Sequence, residues 1–237
     1  MRIRLKERRV ETPDAMSFIF DLGGQELNYA PGQHLTYELD VLAFPDERGK
    51  SRHFSISSSP TEKGIVMFTT RMRGSGFKET LRQAPIGYEI TCEAPEGEFV
   101  MKQDEACLCH VFIAGGIGIT PYRSILRWGA DLNKPLNVLL MYFNHSLPDI
   151  IFRQELEDIS RHMQTLSLVN VLSSPPNDWE GEQGQLDESL LRKWIPEPDE
   201  LCFWVSGPPG MVGACRELLK QIGVEDLSIR NDRFMGY

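Results

Sequence analysis

The sequence lacks several features that would assign the chain to a membrane or a secreted class. No apolar run among its 237 residues approaches the roughly 20 that a membrane-spanning helix needs. The first nine residues, M-R-I-R-L-K-E-R-R, lack the apolar centre of a secretory signal. The five cysteines are an odd number, which fits no complete disulfide framework. We therefore expect a cytoplasmic protein with reduced thiols and no membrane insertion.

Basic residues are too few to favour a nucleic-acid partner. The 25 lysines and arginines are outnumbered by 34 acids, and the formal net charge is -9. Cys107-x-Cys109 has no second pair at metal-ligand spacing, so we interpret it as part of a buried strand and predict no metal site. No Cys-x4-Cys-x2-Cys cluster is present, so no iron–sulfur centre of the ferredoxin type is expected.

The hydrophobic pattern changes near residue 105. Before it, short strand-like runs alternate with turn signals, a pattern typical of an antiparallel barrel or sandwich. The predicted strands are 2–7, 16–22, 34–39, 53–57, 65–71 and 88–93, with a helix over 77–83. After it, apolar strands alternate with helices, which indicates a doubly wound parallel sheet. The predicted strands there are 108–114, 136–143, 166–172, 202–206 and 226–230. One predicted helix starts at Pro121, and two others span 150–159 and 211–221. A polar linker at 101–106 then divides the chain into domains 1–104 and 105–237.

Two glycine-rich corners follow predicted strands of the second half. In F-I-A-G-G-I-G-I-T-P (112–121), three glycines let the backbone turn sharply and lie against a ligand. Thr120 is a candidate helix cap, and Pro121 suits the first helical position. The exposed N–H groups favour a diphosphate, although a tight strand–helix turn without a ligand explains the same residues. The second corner, S-G-P-P-G-M (206–211), also joins a strand to a helix, and two such corners at one sheet edge indicate a binding crevice.

Motifs along nearly the whole chain resemble the ferredoxin–NADP reductase superfamily. In order, they are Y-A-P-G-Q (29–33), R-H-F-S (52–55), S-G-F-K (75–78), P-E-G-E-F (95–99), G-G-I-G-I-T-P (115–121), S-G-P-P-G-M (206–211) and F-M-G-Y (234–237). The resemblance implies an N-terminal Greek-key β-barrel that binds a flavin, followed by an α/β domain that binds NAD(P).

The resemblance also implies which residues hold the flavin. Arg52 is expected to pair with the diphosphate, and Phe54 to pack on the isoalloxazine face. Ser55 would place its hydroxyl near the flavin N5 edge. The segment Ser75, Gly76 and Phe77 would lay N–H groups on the diphosphate, which favours FAD over FMN. His53, Thr69, Arg71 and Lys78 complete the predicted flavin-binding residues.

A second group of residues is implied for the nicotinamide nucleotide. Ser206 and Asp232 join Ser55 as the candidate catalytic residues, although Asp232 stands where relatives carry a longer glutamate. Phe234 or Tyr237 would cover the flavin face that nicotinamide must reach, or the tail simply packs on the barrel. The predicted nucleotide-binding residues are Gly115, Gly116, Gly118, Thr120, Asn144, His145, Gly207, Pro208 and Met211.

The sequence favours NADH over NADPH. The segment 173–187 contains several acids and no lysine or arginine, so it would repel a 2′-phosphate. His145 stands where some NADPH-using relatives carry arginine, and it is mostly neutral at pH 7. Arg153 is the residue best able to reverse this preference. It lies one helical turn into the helix predicted after His145.

The resemblance predicts an enzyme that passes a hydride from NAD(P)H to FAD and then electrons to a separate acceptor. Ferredoxin, flavodoxin or an oxygenase component would serve, and a reductase of free flavin or ferric chelates is an alternative. A nucleotide- or flavin-binding sensor without catalysis is the alternative from another class. Arg2, Arg4, Lys6 and Arg8 alternate with Ile3 and Leu5, so they would form either a basic docking face for an acidic carrier or an ordinary exposed face.

Overall fold

The computed structural model describes residues 1–101, 107–195 and 197–234. These residues form two compact units: one comprises 1–101 together with 120–128, and the other contains the remaining described residues. The predicted boundary between residues 104 and 105 and most of the predicted linker lie outside the described residues. The predicted fold class, an antiparallel sheet followed by a parallel one, is confirmed.

The first unit is built on six antiparallel strands. They are β1 (Arg2–Thr12), β2 (Ala15–Asp21), β3 (His34–Glu38), β4 (Ser51–Ser55), β5 (Ile65–Arg71) and β6 (Glu89–Cys92), with helix α1 (Gly76–Gln83) between β5 and β6. Their order in the sheet is β4-β3-β6-β1-β2-β5. A bridge between Ile56 and Phe68 joins the chain after β4 to β5, so the two edges of the sheet meet. The interior is aromatic, and Phe54 stacks on Phe68 with centroids 4.2 Å apart.

The first strand departs from simple alternation. Its register shifts between Leu5 and Glu7, so the side chains beyond the shift no longer continue the faces of Ile3 and Leu5. Arg2 pairs with Asp40 at 2.7 Å, and Arg4 pairs with Glu89 at 2.8 Å. Arg8 donates to the carbonyl groups of Arg82 and Ala84 at the end of α1. The contacts favour the ordinary exposed face, because neighbouring acids and helix carbonyls already bind three of the four cations, and a docking role stays a prediction.

The second unit contains a six-stranded parallel sheet. Its strands are β7 (Cys109–Gly115), β8 (Val138–Asn144), β9 (Leu166–Leu172), β10 (Glu182–Gln183), β11 (Leu201–Gly207) and β12 (Ile229–Arg233), in the order β10-β9-β8-β7-β11-β12. The helices of the second half are α2 (Thr120–Asp131), α3 (Arg153–His162), α4 (Glu188–Trp194) and α5 (Pro209–Gln221). One face of the sheet buries Val111, Ile113, Met141, Val205 and Val212 with other apolar side chains.

Several predicted boundaries are wrong for local reasons. A 3-10 turn over Gly116–Ile119 precedes α2, so the chain is already helical where Thr120 was expected to cap it. The Thr120 hydroxyl is buried and has no hydrogen-bond partner among the described residues, so it does not act as the cap. Helix α3 begins at Arg153, because Phe152 adopts a left-handed conformation with φ of 58°.

Two elements of the second unit were not predicted, and one was misplaced. Helix α4 is short and is capped by Asp187, whose side chain accepts from the Leu190 N–H at 2.8 Å. The two-residue strand β10 carries too few residues to show a period. The strand predicted at 226–230 lies instead at Ile229–Arg233, after a 3-10 turn. Within the described residues, no helix combines the length and apolar character needed to cross a bilayer.

Candidate functional site

The carboxyl ends of β7 and β11 bring the two predicted glycine corners together. The two strands are neighbours in the parallel sheet, with β8 on the far side of β7. The chain leaves β7 toward β8 on one side and reaches β11 on the other, which makes this the topological switch point of the sheet. Open α/β sheets bind ligands in the crevice at such a point.

The glycines of these corners are required by their mutual packing. A Cβ atom on Gly118 would lie 2.2 Å from the Ser206 carbonyl oxygen, and one on Gly115 would lie 2.1 Å from Met211 Sδ. Gly207 has φ of 154° and packs against the Gly115 backbone. The Gly118 contact is with backbone, which cannot move aside as a flexible side chain would. The missing side chains therefore let one corner lie directly on the other.

A tyrosine that the sequence reasoning missed holds the first corner. The Tyr142 hydroxyl donates to the Gly116 carbonyl at 2.9 Å and accepts the Ile151 N–H at 3.2 Å. Gly116 itself has φ of 51°, a conformation that favours glycine. Tyr142 lies on β8 and is fully buried. Its position inside an apolar strand gave no signal of this role.

Two predicted residues at this edge present buried polar atoms without partners. Ser206 is fully buried at the end of β11, and Asn144 is 9% exposed at the end of β8. The Ser206 hydroxyl and both polar atoms of the Asn144 carboxamide have no hydrogen-bond partner among the described residues. Buried polar groups are normally hydrogen-bonded, so these atoms are open to partners from a bound ligand or an ordered water.

The last described strand carries the other predicted catalytic residue. Asp232 on β12 lies opposite Ser206 on β11, so the two side chains share one face of the sheet. The Phe234 N–H donates to the Gly207 carbonyl at 3.1 Å, which ties the end of the chain to the second corner. Tyr237 lies outside the described residues.

The side chains that could discriminate NADH from NADPH already contact acids or hydroxyls of the chain. His145 Nδ1 lies 3.1 Å from the Ser173 hydroxyl, just after β8. Arg153 pairs with Glu157 one turn along α3, at 2.8 Å. Lys193 pairs with Glu182 at 2.5 Å, so an acid of segment 173–187 is matched by a base from α4.

In the first unit, Arg52 lies on β4, and its side chain contacts the loop that joins β3 to β4. The side chain is 10% exposed, and its Nη1 donates to the carbonyls of Arg48, Gly49 and Ser51 at 2.6–2.9 Å. Its Nη2 forms an ion pair with Asp46 at 2.6 Å. That contact is not aligned as a hydrogen bond, and neither Nη2 nor Nε has a hydrogen-bond acceptor among the described residues. Arg52 therefore keeps Nε without an acceptor among the described residues, and Nη2 would become available to another anion if Asp46 moved away.

The Asp46 carboxylate, which the sequence reasoning missed, occupies the N-terminus of α1. It accepts from the Ser75 hydroxyl at 2.9 Å and from the Phe77 N–H at 3.0 Å. Ser75 is also the N-cap of α1 and accepts from the Lys78 N–H. A Cβ on Gly76 would lie 2.4 Å from the carbonyl oxygens of Phe44 and Pro45. The loop before β4 thus lies against the segment that was predicted to hold a diphosphate.

The charges around Asp46 shift the pKa values of two groups. Burial by itself raises the pKa of Asp46, but the donors of Phe77 and Ser75 and the charge of Arg52 outweigh it, so the net pKa is well below the ordinary value. Burial lowers the pKa of Lys78 to about 8, and Arg48 and Arg52 contribute to the same shift. The site therefore holds one firmly ionised acid among several cations.

The other predicted flavin residues separate into different surroundings. Arg52 and Phe54 share one face of β4 with Phe77 nearby, whereas His53 and Ser55 occupy the alternate face. His53 Nδ1 lies 2.8 Å from the Thr36 hydroxyl.

Thr69 is buried between the hydroxyls of Ser17 and Ser57, at 2.7 and 3.0 Å. Arg71 pairs with Asp14 instead of standing free for a phosphate, and its carbonyl accepts from Lys78 Nζ at 2.8 Å.

Two family models match the two halves of the chain. Residues 2–101 match the oxidoreductase FAD-binding domain, and residues 112–217 match the oxidoreductase NAD-binding domain. Among curated proteins, the chain is similar to one subunit of the Na(+)-translocating NADH-quinone reductase of Klebsiella pneumoniae, with 32% identity over 98% of this chain. It is also 29% identical, over 86% of its length, to nitrate reductase [NADPH] of Fusarium oxysporum.

These relatives are longer proteins, and a solved structure matches the whole fold. The chain spans 64% of the Klebsiella protein and 25% of the Fusarium enzyme. The crystal structure of the flavohem-like FAD/NAD binding domain of nitric oxide dioxygenase from Vibrio cholerae superposes with a TM-score of 0.83 at 22% identity. That match covers 98% of each chain.

Proposed function

The chain belongs to the ferredoxin–NADP reductase superfamily as an FAD- and NAD(P)-binding oxidoreductase, and from that premise we propose that it takes a hydride from NADH and delivers electrons to a separate acceptor. The acceptor class we favour is a small redox protein or an oxygenase component. When bound, FAD supplies the conversion between a two-electron hydride and single electrons. The chain's own residues bind and orient the two cofactors.

The observation that carries this proposal is the anion cradle filled by Asp46. Arg52, the Ser75 hydroxyl and the Phe77 N–H converge on one carboxylate. A carboxylate is a small oxyanion, so donors that hold it also suit a phosphate. Arg52 retains two buried nitrogens without hydrogen-bond acceptors among the described residues. These residues fit the FAD diphosphate, which would take the place of Asp46.

We assign the nicotinamide end of NADH to the orphaned polar groups at the carboxyl edge of the parallel sheet. Asn144 and Ser206 are buried and offer donors and acceptors of the kinds that a carboxamide needs. The tight packing of Gly118 on the Ser206 backbone helps to fix the position of Ser206. Orienting a bound nicotinamide in this way is the contribution that the protein makes to hydride transfer.

Charge supports NADH over NADPH. Arg153, the strongest candidate for a 2′-phosphate ligand, is committed to Glu157, and Lys193 is committed to Glu182. His145 is held by Ser173 and brings no permanent cation. A 2′-phosphate would therefore meet each of these cations beside a carboxylate that repels it.

The test is anaerobic reduction of the purified protein reconstituted with FAD. We expect NADH to bleach the flavin absorbance at least about tenfold more efficiently than NADPH, as judged by kcat/KM. The 2′-phosphate of NADPH would lack a charge-assisted contact, and such a contact changes affinity by about that factor. Turnover is then measured with ferredoxin, flavodoxin, an oxygenase component, quinone, ferric chelate and free flavin. Bleaching without turnover of any protein acceptor would contradict a carrier-linked reductase, and absence of bleaching would contradict the enzyme itself.

The Asp46 contact also favours a second candidate, a reductase that uses loosely held flavin or reduces ferric chelates. A carboxylate already seated in the cradle competes with the diphosphate and weakens FAD retention. Gel filtration of the reconstituted protein separates the two functions. Stoichiometric FAD after filtration supports the carrier-linked reductase, whereas loss of FAD together with rapid turnover of added flavin supports the alternative.

A further inference from the structure

A thiol–imidazole cluster lies at the amino end of the parallel sheet, at the opposite end from the glycine corners. It consists of Cys107, His110 and Cys202, all half-buried. His110 lies near the start of β7 and Cys202 near the start of β11, and the two are register partners in adjacent strands. Side chains at paired positions of a parallel sheet project from the same face. Cys107 precedes His110 by three residues and brings its sulfur to the same point.

The separation of the Cys107 and His110 ligand atoms matches that around a tetrahedral zinc ion, and the Cys202 sulfur lies close to both. Cys107 Sγ lies 3.4 Å from His110 Nδ1 and 3.6 Å from Nε2. The three ligand atoms, one from each residue, all lie within 4.8 Å of one another. Tetrahedral zinc with ordinary Zn–S and Zn–N bonds places sulfur and nitrogen about 3.6 Å apart and two sulfurs about 3.8 Å apart. Only small side-chain adjustments separate the observed cluster from a coordination sphere.

The Trp204 indole contacts a nitrogen of the imidazole that a bound ion would need. Its indole Nε1 lies 3.3 Å from His110 Nδ1 and can act only as a donor. The contact therefore identifies Nδ1 as the unprotonated nitrogen, which is the form that binds a cation. The same indole is covered by Arg230, whose guanidinium carbon lies 4.4 Å from the ring centroid. A cation bound to Nδ1 would replace the Trp204 N–H as the partner of that lone pair, and the 3.3 Å hydrogen bond that it replaces is long.

The surroundings give a metal ion access and a source of a fourth ligand. A cavity of about 500 Å³ is lined by Cys107, Cys202 and Trp204 together with the acidic residues Asp199, Glu200 and Glu225. A carboxylate or a water molecule from this cavity can complete a tetrahedron. Cys202 precedes Ser206 by four residues on β11, which corresponds to about 13 Å along a strand. The cluster is therefore distinct from the nucleotide site.

We propose that Cys107, His110 and Cys202 form a binding site for Zn²⁺. Two thiolates and one imidazole are the ligand types of zinc sites, whereas Mg²⁺ and Ca²⁺ prefer oxygen ligands. Binding replaces two S–H bonds with two Zn–S bonds, and the two protons pass to the buffer. The ion would link the start of β7 to the start of β11 and so stabilise the amino end of the sheet.

The experiment uses the full chain, reduced and stripped of metal with a chelator. Titration with Co²⁺ should give one equivalent of a complex with sulfur-to-cobalt charge-transfer absorption, and Zn²⁺ should displace the Co²⁺. Cys107→Ser and Cys202→Ser should each weaken binding at least about tenfold, because even outer-shell changes cost 10–100-fold. Cys109→Ser is the matched control, since Cys109 packs against the opposite face of the sheet and should leave binding unchanged.

A measurement on the unaltered protein covers the case in which a variant fails to fold. Zn²⁺ should protect Cys107 and Cys202 from alkylation, as mapped by mass spectrometry, and leave the labelling of Cys109 unchanged. Three results would overturn the proposal: no cobalt–sulfur absorption, equal alkylation with and without Zn²⁺, or a disulfide between Cys107 and Cys202 in the freshly isolated protein with no metal uptake after reduction.

Discussion

Asp46 Oδ2 lies 2.6 Å from Arg52 Nη2, so a carboxylate of the chain itself fills the position expected for a flavin phosphate. The Asp46 and Arg52 side chains are only 5% and 10% exposed. Removing one partner of a buried ion pair normally leaves a costly unpaired charge. Here an incoming diphosphate would replace the lost partner of Arg52. In the proposed function, the loop before β4 would both hold Arg52 in position for the diphosphate and compete with it.

Asp46→Asn should tighten FAD binding. Asparagine keeps an acceptor for Ser75 and Phe77 but removes the negative charge that competes for Arg52. We expect the dissociation constant for FAD to fall about tenfold, which corresponds to about 1.4 kcal/mol. Recovery of free-flavin fluorescence on dilution measures the change.

The matched control for this substitution is Asp40→Asn. It removes the same charge from a surface acid that pairs with Arg2 and should leave FAD binding unchanged. Faster release of FAD from the Asp46 variant would contradict competition, and it would show that Asp46 holds Arg52 in position for the cofactor.

Gly118→Ala should damage the nucleotide site while FAD remains bound. The added methyl would lie 2.2 Å from the Ser206 carbonyl oxygen, so the two corners must separate. Overpacking of this kind costs about 1–3 kcal/mol of the free energy of unfolding. We also expect the KM for NADH to rise several-fold, measured by steady-state kinetics beside thermal unfolding.

Gly213→Ala is the control for the glycine prediction. Gly213 lies within α5, and a Cβ there meets no atom within 4 Å among the described residues. Alanine should therefore stabilise the protein by about 0.5–1 kcal/mol through helix propensity. An unchanged KM in the Gly118 variant would remove this corner from the nucleotide site.

His145→Arg should shift preference toward NADPH. A permanent cation directly after β8 would offer the 2′-phosphate a charge-assisted hydrogen bond, which contributes about 1.5–3 kcal/mol. We expect kcat/KM with NADPH to rise about tenfold while kcat/KM with NADH changes little. His162→Arg adds the same charge at the end of α3 and should have no such effect. Equal changes in both variants would indicate general electrostatic attraction instead of recognition.

Lys78 should make stability depend on pH in the alkaline range. Burial and the neighbouring arginines lower its pKa from 10.5 to about 8 in the folded state. Between those values the unfolded chain binds more protons than the folded one, so the contribution of Lys78 to the free energy of unfolding rises with pH. Lys78→Met should remove this rise. Urea unfolding of both proteins from about pH 7 to pH 10.5 measures the difference, and parallel curves would contradict the lowered pKa.

The strands and most helices were predictable because their signals are local. The run of apolar and β-branched residues at 65–70 and the continuous apolar run at 108–114 correspond closely to β5 and β7. The glycine corners were also recognisable, since backbone turns restrict residue type wherever they occur. Helix α4 was missed because it spans only Glu188–Trp194, and the register shift after Leu5 was missed because it depends on the pairing of β1 with β2.

The amino-acid order by itself determined the two-sheet architecture and the positions of the glycine-rich corners, since periods of two and 3.6 residues and the special conformations of glycine act over a few residues. Only the tertiary structure decided that Asp46 meets Arg52 and that Cys202 meets His110. The Cys202–His110 contact joins two distant parts of the chain through strand register, and the Asp46 contact depends on how a loop packs on the start of α1. Neither contact produces a periodic pattern in the sequence, so local sequence patterns could not predict them.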